Sequence, residues 1–299
     1  MNLNKVKEIL GKPYYQNEDC IIYNINCVDA MQALPKNFIH LTVTSPPYNI
    51  GKEYEKPMPL GSFVEWCEVW INQIHRITSD NGALWLNLGY TQILNHAKAV
   101  PLPYLLWNKS PFYLIQEIIW NYGAGVAGRN FFSPRNEKFL WYVKDEAQYI
   151  FNLDDIRDPN VKYPNQKKNG KIKVNPLGKN PTDVWQFPKV TSGKNRASKE
   201  RTQHPAQFPV AVIERIIKAS SNEGNIVLDP FMGSGTTAVV ASNLKRPVVG
   251  FEIREDYCEI AAMRVEKFAE PKPVEEPQYN MFKKENQLSI EQLSHKTAC

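Results

Sequence analysis

The sequence predicts an α/β fold built on a mostly parallel central sheet, and three observations carry that prediction. Short apolar runs alternate with stretches of helical periodicity from residue 20 to residue 268. The run Ile39-His40-Leu41-Thr42-Val43 leads through Thr44 into Ser45-Pro46-Pro47-Tyr48, and because proline cannot continue a central ladder, the strand must give way to a loop at its carboxyl end. The run Asn225-Ile226-Val227-Leu228-Asp229 is followed by a glycine-containing turn, a helix and another strand, which is a complete β-turn-α-β unit. Ligands of open α/β sheets bind at the carboxyl ends of strands, where both loops fall.

In chain order, Ile21-Ile22-Tyr23 reads as a strand, Asn26 as a turn, residues 30–34 as a small helix and 39–43 as a second strand. Residues 63–77 place Phe63, Trp66, Val69, Trp70, Ile74 and Ile77 at helical spacing; Asn81-Gly82 ends that helix before a buried strand at 83–88. Two more strands, 115–120 and 138–143, are joined by the glycine- and arginine-containing stretch 123–135. From about 154 to 203 Pro, Asn, Gly and Lys dominate. The anchors Val184-Trp185-Gln186-Phe187 favour a loop-built surface ordered by its neighbours over a disordered insert. Regular structure resumes with a helix at 209–220, the strand 225–229, a helix at 237–244, a strand at 247–252 and a helix at 256–268. Residues 269–299, rich in Glu, Lys, Pro and Gln, read as a flexible tail. The expected organisation is a first half at 1–153, a basic insert at 154–203, a second half at 204–268 and the tail.

Composition narrows the class of protein. With 299 residues, 42% of them hydrophobic, the chain can bury a substantial core. It has no apolar stretch of membrane-spanning length and no signal-peptide run at its start, so a cytoplasmic location is the default expectation. The five cysteines are scattered and the five histidines equally so; neither a disulfide framework nor a metal site is expected. Net charge is +5, but residues 162–201 hold eleven Lys/Arg against Asp183 and Glu200, a local +9 that leaves the rest of the chain at −4. Such a concentration suits a surface that meets a polyanion, and a solvated lysine-rich loop is the plain alternative.

Around Gly233 and Gly235 each residue type has a physical task. Glycines let the backbone approach a ligand, the following helix presents free N–H groups, and Glu252 at the next strand end can accept hydrogen bonds from two ribose hydroxyls. The loop lacks the lysine that grips a triphosphate, so the ligand is adenosyl-like. The full string Asp229-Pro230-Phe231-Met232-Gly233-Ser234-Gly235-Thr236-Thr237 resembles the S-adenosylmethionine loop of DNA amino-methyltransferases. That resemblance implies that Asp229, Phe231, Gly233 and Gly235 line the cofactor and that Ser234, Thr236 and Thr237 lie near its methionine end. His204, in His204-Pro205-Ala206-Gln207-Phe208-Pro209, resembles the segment leading into the flanking helix, with a role as a plain cap equally open. Asp29 stands where the family often has an Asp against the adenine, although a helix N-cap explains it nearly as well.

Ser45-Pro46-Pro47-Tyr48 resembles the catalytic loop of the same family. Catalytic loop first, basic insert next and cofactor loop last is the circularly permuted order of its β group, and the match spans about residues 20–268. A Rossmann-like methyltransferase fold with a loop-rich basic insert is therefore expected, together with S-adenosyl-L-methionine as cofactor, double-stranded DNA as substrate and a cognate restriction endonuclease as a functional counterpart. The chemistry suits the residues. An exocyclic amino nitrogen is a poor nucleophile because its lone pair is delocalised into the ring; acceptors aimed at its N–H bonds return that pair to nitrogen. Ser45 Oγ and the Pro46 carbonyl are the acceptors, Pro47 stiffens the turn, and Tyr48 offers a ring face to an extruded base. Cytosine C5 methylation would need a Pro-Cys nucleophile, and no cysteine follows a proline. Within the family, Ser at the first loop position usually accompanies N4-cytosine methylation and Asp N6-adenine methylation, although adenine enzymes with Ser exist. Trp120, Phe132 and Arg135 lie where the family places groups around the flipped base, packing being the commoner role for the first two.

Overall fold

A computed structural model of the chain describes residues 2–123, 125, 127–190 and 200–268. The elements run α1 (Leu3–Leu10), β1 (Tyr15–Gln16), β2 (Cys20–Asn24), α2 (Cys27–Ala33), β3 (Ile39–Thr44), α3 (Leu60–Ile77), β4 (Thr78–Leu88), β5 (Tyr90–Ile93), β6 (Ala97–Pro101), α4 (Leu102–Leu106), β7 (Tyr113–Asn121) and β8 (Asn136–Val143). They continue with β9 (Lys167–Lys168), β10 (Lys171–Ile172), β11 (Val184–Gln186), α5 (Val210–Ser220), β12 (Val227–Asp229), α6 (Thr236–Asn243), β13 (Val248–Glu252) and α7 (Glu255–Phe268). Among the described residues no helix is long and apolar enough to cross a membrane, and no cluster of His, Cys, Asp and Glu could hold a metal ion.

Nine strands form one sheet in the order β1-β2-β13-β12-β3-β4-β8-β7-β11. From β2 to β4 every pairing is parallel, whereas β8 runs antiparallel to both β4 and β7. The connection from β7 to β8 carries no helix and cannot make the crossover a parallel pair requires, so these strands form a hairpin. Strand period two sends alternate residues to opposite faces. Along β4, Leu84, Leu86 and Leu88 join the core beneath α2 and α3, and Ala83 and Trp85 join the core beneath α5, α6 and α7. Helices thus cover both faces, the doubly wound arrangement that parallel strands need.

Three expectations change. Asn81-Gly82 does not end the helix: α3 stops at Ile77 and both residues lie within β4. In α3 the buried face is Phe63, Cys67, Trp70, Ile71, Ile74 and Ile77, while Val69 is exposed. In the insert, Val184-Trp185-Gln186 is a strand rather than a loop anchor: β11 pairs in parallel with β7, and Trp185 is buried against the rings of Trp85 and Phe139. Apart from this edge strand and the two-residue ladder β9–β10, the described residues of the insert have little regular structure. The tail 269–299 lies outside the described residues.

This topology gathers one set of ends. The carboxyl ends of β3, β4, β12, β13, β7 and β11 and the amino end of β8 all meet one edge of the sheet. Strand order reverses between β3 and β12, the switch point at which such sheets open a crevice.

Candidate active site

The crevice is a cavity of about 640 Å³ along that edge. Ser45, Pro46, Pro47 and Tyr48 line one part of it; His204, Asp229, Phe231, Gly233, Ser234, Thr236, Thr237 and Glu252 line the other. Residues 185 apart in sequence meet at the switch point, where Thr44 Oγ1 donates to Asp229 Oδ1 at 2.9 Å. The same carboxylate accepts from Thr237 Oγ1 at 2.7 Å and from the Phe231 backbone N–H at 3.2 Å. Burial pushes the Asp229 carboxyl up to about 6, although these hydrogen bonds oppose the rise. Asp229 thereby fixes the ends of β3 and β12 and the start of the glycine turn relative to one another.

The turn is shaped for a ligand with hydroxyls and a polar end. Glu252 Oε2 accepts from Gly233 N at 2.8 Å and Oε1 from Arg254 N at 2.9 Å, which leaves lone pairs on both oxygens for a ribose. Gly233 has φ +51°, and a Cβ there would lie 2.9 Å from His204 Nε2. Arg264, buried behind the turn, donates from Nη1 to Ser234 O at 2.6 Å, Ser234 Oγ at 3.1 Å and Thr236 Oγ1 at 2.9 Å. Its Nε and Nη2 have no partner among the described residues, and burial pulls the guanidinium down to about 10. Ser234 Oγ accepts from Arg264 and has only the long 3.5 Å contact to Thr236 Oγ1 besides, so its proton can turn outward to a carboxylate. A cradle with two carboxylate acceptors at one point and a hydroxyl donor backed by a cation at another fits S-adenosylmethionine.

Two of the residues that the resemblance assigns to the cofactor are not on the cavity wall. Gly235 has φ +74° and caps α6; its absent side chain makes room for Ala261 of α7, whose Cβ would be 2.7 Å from a Cβ at Gly235. Asp29 is exposed in the first turn of α2, beside the cavity-lining Asn26 and Cys27, and because the N-cap of that helix is Asn26, capping does not describe it. His204 is on the wall: its Nδ1 accepts from Ala206 N at 3.2 Å, and its ring meets those of Tyr54 and Tyr257.

Burial pulls His204 down to about 4, so its ring is neutral across the physiological range. The unfolded chain, with an ordinary histidine near 6.5, takes up a proton first as pH falls. His204 therefore contributes stability that is fully present above about 6.5 and is lost as pH falls towards 4. Histidine NMR titration of the folded protein should show the His204 ring still neutral at pH 5, and a His204 midpoint in the ordinary range would refute the burial argument.

At the catalytic loop the hydrogen-bond directions are set by Asn87 of β4. Its Nδ2 donates to the Lys138 carbonyl at 3.2 Å, which turns Oδ1 towards the loop, where Tyr48 Oη donates to it at 2.7 Å. Tyr48 Oη can then accept from Ser45 Oγ at 2.9 Å. Burial and nearby Glu137 hold the Tyr48 phenol well above its ordinary range, so it keeps the proton this chain requires. Whether Ser45 Oγ donates to Tyr48 Oη or, at 3.4 Å, to Asn87 Oδ1, its proton is held by the wall and its lone pairs are left for the cavity. Gly89 is needed here, since a Cβ would lie 2.8 Å from the Tyr48 ring.

Asn87, Glu137, Lys189, Tyr122 and Tyr54 also line the cavity and were not singled out in the sequence. Trp120 is buried, lines the cavity and donates from Nε1 to the Phe187 carbonyl at 2.7 Å. Phe132 is fully exposed rather than packed, and Arg135 Nη1 donates to the Pro134 carbonyl at 3.1 Å.

A doubly wound sheet with a glycine turn after β12, an acidic residue ending β13 and a Ser-Pro-Pro-Tyr loop after β3 defines the methyltransferase class of Rossmann-like folds. Comparison with known proteins specifies the family. A family model for DNA methylases of the N6/N4 type matches residues 39–263. Type II methyltransferase M.ScaI of Streptomyces caespitosus is 61% identical over 268 residues, covering 90% of this chain and 88% of that protein. The chain belongs to the N6/N4 DNA methylase family. Among solved structures, the cytosine-N4-specific PvuII DNA methyltransferase shares the fold with a TM-score of 0.68 at 18% identity, covering 85% of this chain and 88% of that one. A DNA modification methylase of Thermus thermophilus, solved in complex with S-adenosyl-L-methionine, matches with a TM-score of 0.59 at 19% identity over 84% of this chain and 95% of that one.

Proposed function

We propose that this protein is a site-specific DNA methyltransferase that moves a methyl group from S-adenosylmethionine to the exocyclic N4 of a cytosine extruded from duplex DNA. The observation that carries the choice of base is Ser45: the first position of the catalytic loop holds a neutral hydroxyl, 2.9 Å from Tyr48 Oη, and not a carboxylate. S-adenosylmethionine supplies an electrophilic methyl group on a sulfonium. Glu252 would hold its ribose, and Ser234, Thr236 and Thr237, backed by Arg264, its methionine end.

Ser45 Oγ and the Pro46 carbonyl accept the two N–H bonds of the target amino group and concentrate its lone pair on nitrogen. The aromatic wall, including Tyr48 and Trp120, excludes water and supports the base, and in-line displacement at the methyl carbon follows without a covalent enzyme intermediate. The new C–N bond forms as the C–S bond breaks, and the nitrogen sheds one proton. Tyr48 Oη, whose proton rests on Asn87 Oδ1 at 2.7 Å, also lies 3.3 Å from Glu137 Oε2, so a turn of that proton towards Glu137 opens a route from Ser45 through Tyr48 to a carboxylate.

The basic insert at 154–203 forms the target-recognition surface, with its lysines on phosphates. A cytoplasmic location and a counterpart endonuclease acting on the same sequence, without direct contact, complete the reading. Incubation with S-adenosylmethionine and plasmid DNA, digestion to nucleosides and mass spectrometry tests it. N4-methyldeoxycytidine is the expected product; N6-methyldeoxyadenosine alone would overturn the choice of base.

A further inference from the structure

Among the described residues, the insert reaches the catalytic pocket at Lys189. β11 pairs in parallel with β7, so the chain leaving Gln186 emerges at the same sheet edge as the carboxyl end of β7 and sets Lys189 in the cavity wall. Lys189 Nζ donates to Glu137 Oε1 at 2.6 Å and stands 3.9 Å from the centre of the Tyr122 ring. Glu137 Oε2 in turn lies 3.3 Å from Tyr48 Oη, which shares its proton between Glu137 and the nearer Asn87 Oδ1, and Tyr48 Oη is 2.9 Å from Ser45 Oγ. One continuous polar wall therefore runs from an acceptor, Ser45, to a donor, Lys189.

That polarity matches the edge of one base. Cytosine presents an amino donor followed by two acceptors, N3 and O2; adenine presents an amino donor, one acceptor, N1, and then a C–H. An ammonium carries three N–H donors; one is directed at Glu137 Oε1 and another faces Tyr122, so the third can meet an acceptor edge while the group keeps its partners. Pairing with Glu137 also makes the unit neutral overall, so a donor stands beside the reacting amino group without opposing the positive charge that develops there on methyl transfer. The geometry points to Lys189, positioned by Glu137 and Tyr122, as the specificity-determining residue that binds the N3/O2 edge of the extruded cytosine. This rests on the cytosine reading above. It gives the insert a part in selecting the base within the pocket as well as in binding phosphates.

The test compares wild type with Lys189→Met and Lys189→Arg on a duplex bearing the methylated site mapped from plasmid DNA. The target cytosine is left intact or replaced by 3-deazacytosine, which lacks N3, or by 2-thiocytosine, which weakens the O2 acceptor. Wild type should lose about 10- to 100-fold in kcat/KM on at least one analogue. K189M should lose a similar factor on cytosine with no further loss on that analogue, and K189R should keep the discrimination. Calorimetric binding of S-adenosylmethionine should be the same for all three proteins, which shows that the fold and the cofactor site survive. A K189M enzyme with wild-type kcat/KM on cytosine, a K189M enzyme as sensitive to the analogues as wild type, or a wild type indifferent to both would overturn the inference alone. Methylation found only on adenine would overturn the base reading and the inference with it.

Discussion

Ser45→Ala is expected to lower kcat by about 10²- to 10³-fold, as the loss of one preorganised polar group at a reacting centre does, with unchanged calorimetric affinities for S-adenosylmethionine and DNA. Hydrogen-bond direction gives Ser45 this role. Asn87 Oδ1 takes the Tyr48 proton at 2.7 Å, Tyr48 Oη is placed to take the Ser45 proton at 2.9 Å, and Ser45 is left an acceptor facing the cavity. An acceptor that acts on the amino group only as it becomes a nucleophile contributes to the transition state and little to binding, so the loss belongs in kcat. A S45A enzyme with wild-type kcat in single-turnover measurements would refute this role.

Glu252→Ala is expected to weaken S-adenosylmethionine binding by about 10²- to 10⁴-fold, since each hydrogen bond to a charged group is worth about 1.5–3 kcal/mol and two ribose hydroxyls are at stake. The backbone N–H groups of Gly233 and Arg254 hold the carboxylate in place, at 2.8 and 2.9 Å, so it is organised before the ligand arrives. Burial raises the Glu252 carboxyl above its ordinary value, in keeping with a site that a polar ligand completes. Glu252→Gln keeps one side-chain oxygen acceptor and should lose less. Calorimetry reads both variants, and an E252A protein that folds and binds the cofactor as tightly as wild type would remove Glu252 from the cofactor site.

The parts of this site that were legible in the sequence are those written in consecutive residues. Asp229 to Thr237 and Thr44 to Tyr48 each combine a strand end with the turn chemistry that must follow it, and both signals are local. Gly235 shows the limit of the same reasoning: its positive φ and lack of a side chain are required, but by the approach of Ala261, a contact that depends on how α7 packs. Asn87, Glu137 and Lys189 were not legible. Asn87 and Glu137 lie in strands whose pattern announces only burial, and they meet the loop through the antiparallel pairing of β4 with β8. Lys189 belongs to a run of cations that reads as a phosphate-binding surface; only the pairing of β11 with β7 brings it to the catalytic edge. The strand character of Val184-Trp185-Gln186 was the available signal, obscured by the irregular residues around it.

The central claim is that the loop Ser45-Pro46-Pro47-Tyr48 receives the amino group of an extruded cytosine opposite the cofactor. A crystal structure with S-adenosylhomocysteine and a duplex carrying the methylated site tests this most directly. The account predicts a cytosine rotated out of the helix, its N4 within hydrogen-bond distance of Ser45 Oγ and the Pro46 carbonyl, and the cofactor sulfur beyond N4 in line for transfer. A target base that remains stacked in the duplex, or an extruded base whose amino group lies away from Ser45, would contradict it.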